Sequence, residues 1–96
     1  MFRHVVMFRW KPGVRQAERD KALAQIRDLA SLTGIVRLSA GEDAGIAQGN
    51  ADTVVVVDFD RAEDYLRYAE HPQHQQVIAE HIRPILDSRV AVQYEL

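Results

Sequence analysis

The fold is decided first by residues 2–10, which read Phe2-Arg3-His4-Val5-Val6-Met7-Phe8-Arg9-Trp10. In an extended chain successive side chains point to opposite faces, so the even positions from His4 to Trp10 share one face and the odd positions share the other. Apolar side chains occur on both faces, which is typical of a strand that is covered on both sides. We therefore predict a first strand over residues 2–10.

The rest of the chain alternates between helical and extended patterns. Apolar residues recur at helical spacing from Arg15 to Leu32. A second helix is predicted after Asp60, which forms a capping-box pattern with Glu63. His71-Pro72 interrupts this helix, and Pro72 can begin a third one that runs to about residue 83. Strands are predicted over residues 35–40, 53–59 and 89–95, with a mobile glycine-rich loop over residues 41–52.

The predicted order is β-α-β-β-α-α-β, which is the ferredoxin-like arrangement. It gives an α+β fold in which helices cover one face of a four-stranded antiparallel sheet, and we expect residues 1–96 to form a single domain. The other face would carry an apolar patch too large to leave exposed to water, formed by Val5, Met7, Val54 and Val56. A second copy packed sheet against sheet would cover it, so we expect a homodimer of the dimeric α+β barrel kind.

Composition excludes several classes of partner. The chain has 96 residues, 47% of them hydrophobic and 27% charged, with a formal net charge of −2. The opposite charges are dispersed, so we expect neither a nucleic-acid nor a membrane partner. Cysteine is absent, which excludes disulfides and thiolate chemistry. Because no signal-peptide pattern and no long apolar run is present, we expect a cytoplasmic protein.

The most particular motif is Tyr68-x-x-His71-Pro72-x-His74. His74 precedes Val77 and Ile78 by three and four residues, so it lies on the apolar stripe of the third helix and faces the sheet. His4 would then face the same space between sheet and helices. From the residues alone structural roles are favoured, because Tyr68 and His74 could be hydrogen-bonded core residues and His71 could cap a helix.

Metal and cofactor sites have little support in the sequence. His71, His74 and His81 have a spacing that matches no standard zinc pattern. His81, near a helix end, fits a role opposite the helix dipole. No glycine-rich phosphate loop follows a strand. We therefore expect no metal and no cofactor.

Three segments of the sequence resemble those of a known protein family. The opening segment through Lys11-Pro12-Gly13, the Tyr68-to-His74 motif and the closing Tyr94-Glu95 resemble the stress-responsive A/B barrel (Dabb) domain family over essentially the whole chain. The resemblance implies a dimeric α+β barrel, the fold already predicted from the pattern of strands and helices.

The resemblance also implies site residues. The chain is distantly similar to olivetolic acid cyclase, a plant enzyme that closes a polyketide by aldol condensation without metal or organic cofactor. By this resemblance His74 and Tyr68 are the expected catalytic acid–base pair. A small hydrophobic or carbonyl compound would bind in an apolar pocket in each protomer, lined by His4, Val6, Phe8, Val55, Val57 and Ile78. The first helix has Ala22, Leu23 and Ile26 where the cyclase has bulky aromatics, so the cyclase substrate does not carry over.

Two alternative functions are also consistent with the sequence. One is a non-enzymatic, stress-associated dimer in which His74 is structural. The other is a small monooxygenase of the same barrel superfamily, in which Trp10 and a pocket histidine would be the relevant residues.

Overall fold

The computed structural model describes residues 1–96. Its strands are Phe2–Trp10 (β1), Ile35–Glu42 (β2), Thr53–Phe59 (β3) and Leu86–Glu95 (β4), and its α-helices are Gln16–Asp28 (α1), Ala62–Glu70 (α2) and Pro72–Val77 (α3). Short 3₁₀ turns follow α1 and precede β4, and a π-helical turn, Ile78–Ile82, continues α3. The sheet order is β2-β3-β1-β4 with antiparallel neighbours, which confirms the predicted ferredoxin-like α+β fold.

The helix-covered face of the sheet forms the core. On β1 the side chains of Val6, Phe8 and Trp10 are all buried, as the alternation predicts. They pack with Val55, Val57 and Phe59 of β3 and with apolar residues of α1 and of the segment after α3. Strand β1 lies between β3 and β4, so its backbone groups are paired on both sides.

Several element boundaries differ from the sequence prediction. Helix α2 begins at Ala62 after an extended N-cap residue, Arg61, which makes no side-chain cap. The predicted capping box of Asp60 and Glu63 is therefore wrong, because the chain leaves β3 in an extended conformation and Asp60 lies outside the helix. Strand β2 continues to Glu42, into the predicted loop, and β4 begins three residues early.

The opposite face of the sheet has no helix over it. Across the strands it presents aliphatic side chains, of which Met7 is 40% exposed, Val54 36%, Val90 66% and Val92 54%. The register pairs Val5 with Val92 and Met7 with Val90, so β4 adds two valines to the predicted patch. We call this surface, formed by Val5, Met7, Val54, Val56, Val90 and Val92, the open face. No helix of the structure has the length and apolar character needed to cross a membrane.

Candidate functional site

A cavity of about 290 Å³ lies between the sheet and the helices. Its wall contains eleven hydrophobic residues, two of them tyrosines of α2, together with histidine, glutamine and arginine side chains from β1, α3, β4 and the 3₁₀ turn before β4. Seven of the eight predicted site residues line it: His4, Val6, Phe8, Val55, Tyr68, His74 and Ile78. The eighth, Val57, does not, because it is fully buried in the core beneath the helices.

His74 is held by a backbone hydrogen bond. Its Nδ1 lies 3.2 Å from the carbonyl oxygen of Ala69, at the end of α2. Because a carbonyl can only accept, Nδ1 must carry the hydrogen, and in the neutral ring Nε2 keeps its lone pair. Burial is the main cause that lowers the pKa of His74 below its ordinary value, and the charge of Arg89 lowers it further. His74 is therefore neutral near pH 7.

Tyr68 is the closest aromatic partner of His74. The two ring centroids are 4.3 Å apart, with an interplanar angle of 47°. Tyr68 is 6% exposed, and its hydroxyl is neither hydrogen-bonded within the chain nor sealed off inside the core. Burial raises the pKa of this hydroxyl well above its ordinary value, so it keeps its proton at neutral pH. The cavity wall thus holds, on two neighbouring rings, a hydroxyl donor and an imidazole nitrogen that make no hydrogen bond within the chain.

His4 lies on the sheet side of the same cavity. Its Nδ1 is 2.8 Å from the side-chain nitrogen of Gln93, the residue opposite it on β4. With the amide as donor, Nδ1 accepts and Nε2 of the neutral ring carries the hydrogen. Burial, together with the charge of Arg89, lowers the pKa of His4 to about 4. The ring also packs against Tyr65, with centroids 5.0 Å apart.

The remaining candidate residues have other positions. His71 caps α3, since its Nδ1 accepts a hydrogen bond from the backbone of Gln73 at 3.0 Å, and it does not line the cavity. His81 is also outside the cavity. Trp10 is buried away from the cavity and donates its indole hydrogen to Thr53 Oγ1 at 2.9 Å. No group of three or more His, Cys, Asp or Glu residues is arranged to hold a metal ion.

Several cavity residues do not appear among the candidates from sequence. The polar ones are Tyr65, Gln75, Arg83 and Arg89, and Gln93 supports the wall through His4. The closing strand offered a signal for two of them, because Arg89 and Gln93 are separated by four residues and so share one strand face. The pairing of Arg89 with Phe8 and of Gln93 with His4 is needed to show that this is the helix-covered face.

The sheet, the one-sided helical layer and the cavity between them define a ferredoxin-like α+β protein with a cavity between its two layers. A family model described as the Stress responsive A/B Barrel Domain (Dabb) matches residues 2–96, and the chain belongs to this family. This confirms the resemblance seen in the sequence.

Similar proteins come from plants and bacteria. A stress-response A/B barrel domain-containing protein of Arabidopsis thaliana is 28% identical over 92 residues, which are 95% of this chain and 35% of that protein. The chain therefore spans about a third of that curated relative. A dimeric ferredoxin-like protein of unknown function from Thermobifida fusca is 34% identical, with a TM-score of 0.91 over 99% of this chain and 90% of that one.

A plant enzyme has the same fold. The hydroxynitrile lyase from Passiflora edulis is 20% identical, with a TM-score of 0.86 over 99% of this chain and 92% of that one. At this identity the similarity is one of fold.

Proposed function

We propose that this Dabb protein is a homodimer whose protomers each bind a small hydrophobic carbonyl compound in the cavity, where His74 and Tyr68 catalyse proton transfer next to the carbonyl without a cofactor. The observation that carries the proposal is the proximity of the His74 and Tyr68 rings on the wall of one cavity, where neither His74 Nε2 nor the Tyr68 hydroxyl is hydrogen-bonded within the chain.

The proposed step is the removal of a proton from the carbon next to the carbonyl. The C–H bond breaks, and its proton passes to His74 Nε2. Its electron pair forms the new carbon–carbon double bond, while the π pair of the carbonyl moves onto the oxygen to give an enolate. Tyr68 donates a hydrogen bond to that oxygen as its negative charge develops. The neutral states of His74 and Tyr68 are the protonation states that this step requires.

An enolate formed in this way can react in cyclase-like or lyase-like chemistry, by making or breaking a carbon–carbon bond. The apolar wall fits a substrate with a hydrocarbon body, and ligand cavities as small as about 300 Å³ are known. The similarity to the hydroxynitrile lyase is compatible with such chemistry on this fold, but the proposal depends on the site residues. Trp10, the residue on which the monooxygenase alternative depended, is buried away from the cavity.

The test measures hydrogen–deuterium exchange at the carbons next to the carbonyl of octan-2-one in D₂O, followed by NMR. We expect wild-type protein to accelerate the exchange. His74→Ala should reduce the acceleration about a hundredfold, and Tyr68→Phe should also reduce it, by removing only the hydroxyl. The control is His71→Asn, which changes a nearby histidine outside the cavity and keeps a good capping residue.

Two results would overturn the proposal. One is equal acceleration by wild type and His74→Ala. The other is no acceleration by the wild type. If His74→Ala instead lowers the melting temperature without changing binding or exchange, His74 is structural and the non-enzymatic alternative is favoured.

A further inference from the structure

The cavity wall has an unbalanced positive charge. Arg83 and Arg89 both line it, whereas no aspartate or glutamate does. Neither arginine belongs to any ion pair of the chain. Because the two cavity histidines are neutral near pH 7, the arginines are the only full charges at the site. An unpaired guanidinium at the edge of an apolar cavity is a place where an anion can bind.

Arg89 is the better placed of the two. It pairs with Phe8 across β1 and β4, so its side chain is on the helix-covered face with the rest of the cavity wall. Strand β4 is at the edge of the sheet, which puts Arg89 at the margin of the cavity. Arg89 lines the same cavity as His4 and His74, and its charge lowers the pKa of both rings.

We propose that Arg89, assisted by Arg83, binds a carboxylate on the substrate, so that the natural ligand is a small oxo acid and not a neutral carbonyl compound. The keto group would lie at His74 and Tyr68, the hydrocarbon chain against Phe8 and the other apolar residues, and the carboxylate at the cavity margin. This inference deepens the proposed function and rests on it for the position of the keto group.

The guanidinium matches a carboxylate better than it matches a neutral group. Its planar fork can donate two parallel hydrogen bonds to the two carboxylate oxygens, and such charge-assisted pairs are stronger than neutral hydrogen bonds. We therefore expect the carboxylate to increase affinity about tenfold or more, where tenfold corresponds to about 1.4 kcal/mol.

The experiment compares two ligands of nearly equal shape by calorimetry. In 7-oxooctanoate a carboxylate replaces the terminal methyl group of octan-2-one, while the keto group and the chain stay the same. Wild-type protein should bind 7-oxooctanoate about tenfold more tightly than octan-2-one. Arg89→Gln should abolish this preference by weakening binding of the acid far more than binding of octan-2-one, and Arg89→Lys should retain part of it. The control is Lys21→Gln, which removes an exposed charge outside the cavity wall and should preserve the preference.

Equal affinities of the wild type for the two ligands would overturn the proposal. So would a preference for 7-oxooctanoate that survives Arg89→Gln. Circular dichroism of each variant distinguishes loss of binding from loss of folding, and the retained affinity for octan-2-one does so independently. Failure of the proposed catalysis would look different, because binding of 7-oxooctanoate would persist while exchange of octan-2-one would not depend on His74.

Discussion

The two cavity histidines are fixed in different tautomers by different partners. His74 donates from Nδ1 to a backbone carbonyl, which leaves Nε2 free as a base. His4 accepts at Nδ1 from Gln93, which leaves an N–H available on the other nitrogen. The two rings therefore offer opposite hydrogen-bonding groups, one an acceptor and the other a donor. A carbonyl compound can use both, since its acidic C–H needs a base and its oxygen needs donors.

The buried His4 makes stability depend on pH. Its pKa of about 4 is below the ordinary value of 6.5, so between these values the unfolded chain binds more protons than the folded chain. The free energy of unfolding should therefore rise with pH through this window, and the contribution of His4 should be complete above about pH 6.5 and lost as the pH falls towards about 4. Because the ring is incompletely shielded from water, we expect about 1–2 kcal/mol from His4.

Urea unfolding of the wild type and His4→Gln at about pH 7 and about pH 5 measures this effect. The difference in stability between the two pH values should be smaller in His4→Gln, because the glutamine side chain does not titrate. Part of the difference should remain in His4→Gln, since the pKa of His74 is lowered in the same direction. An unaltered difference in His4→Gln would show that His4 titrates normally in the folded protein.

At the level of the elements, the sequence predicts the strands well where β-branched and aromatic residues are frequent. Strands β1 and β3 occur at the predicted residues, because each has β-branched and aromatic residues on both faces. The predicted start of α2 is wrong, because a capping box at Asp60 requires the helix to begin directly after that residue. The chain instead remains extended up to Arg61. The π-helical turn after α3 has no local signal at all, yet it brings Ile78 and Ile82 to the cavity.

The cavity residues likewise include some that a local pattern predicts and some that it does not. His4 and His74 could be assigned to one space because each lies in an element with a clear period. Arg89 and Gln93 could not, because their positions depend on the register between β1 and β4, which joins residues more than eighty positions apart. Such a register is set by long-range pairing and core packing, and a local pattern does not contain it.

Strands β1 and β3 are also joined by a salt bridge on the open face. Arg3 binds Asp58 through two hydrogen bonds of 2.7 and 2.9 Å, and the side chain of Asp58 is only 9% exposed. Asp58→Asn should therefore destabilise the fold by about 1.5–3 kcal/mol, as for a hydrogen bond to a charged group.

The matched control is Glu95→Gln, which removes an exposed ion pair with the N-terminal amine and should change stability by less than about 1 kcal/mol. Denaturant midpoints of both variants at neutral pH measure the contrast. Equal midpoints would mean that the Arg3–Asp58 pair contributes no more than a surface ion pair.

On the scale of the whole molecule, the open face is an apolar surface that no part of a single chain covers. It gathers the side chains of Met7, Val54, Val90 and Val92 on one side of the sheet, with no helix above them. The similar protein from Thermobifida fusca is described as dimeric. Packing of two such faces would remove a contiguous apolar surface from water, which is the main favourable contribution to association.

Met7→Asp tests this arrangement, because an unpaired carboxylate in a dry interface is strongly unfavourable. Light scattering after size-exclusion chromatography should give twice the chain mass of 10.9 kDa for the wild type and a smaller mass for Met7→Asp. Leu66→Asp places the same charge at an exposed leucine of α2 and should remain dimeric. A wild-type monomer at every concentration would exclude the proposed dimer, and dissociation by Leu66→Asp alone would place the interface on the helices.

The central claim is that each protomer holds a small carbonyl compound beside His74 and Tyr68. Its most direct test is ¹⁵N NMR of the histidine side chains during titration with octan-2-one, since two of the four histidines line the cavity and two do not. We expect saturable shifts of the ring nitrogens of His74 and His4, with His71 and His81 unchanged. The claim would be contradicted if the His74 and His4 signals stayed fixed, or if only the methyl groups of Val90 and Val92 on the open face responded.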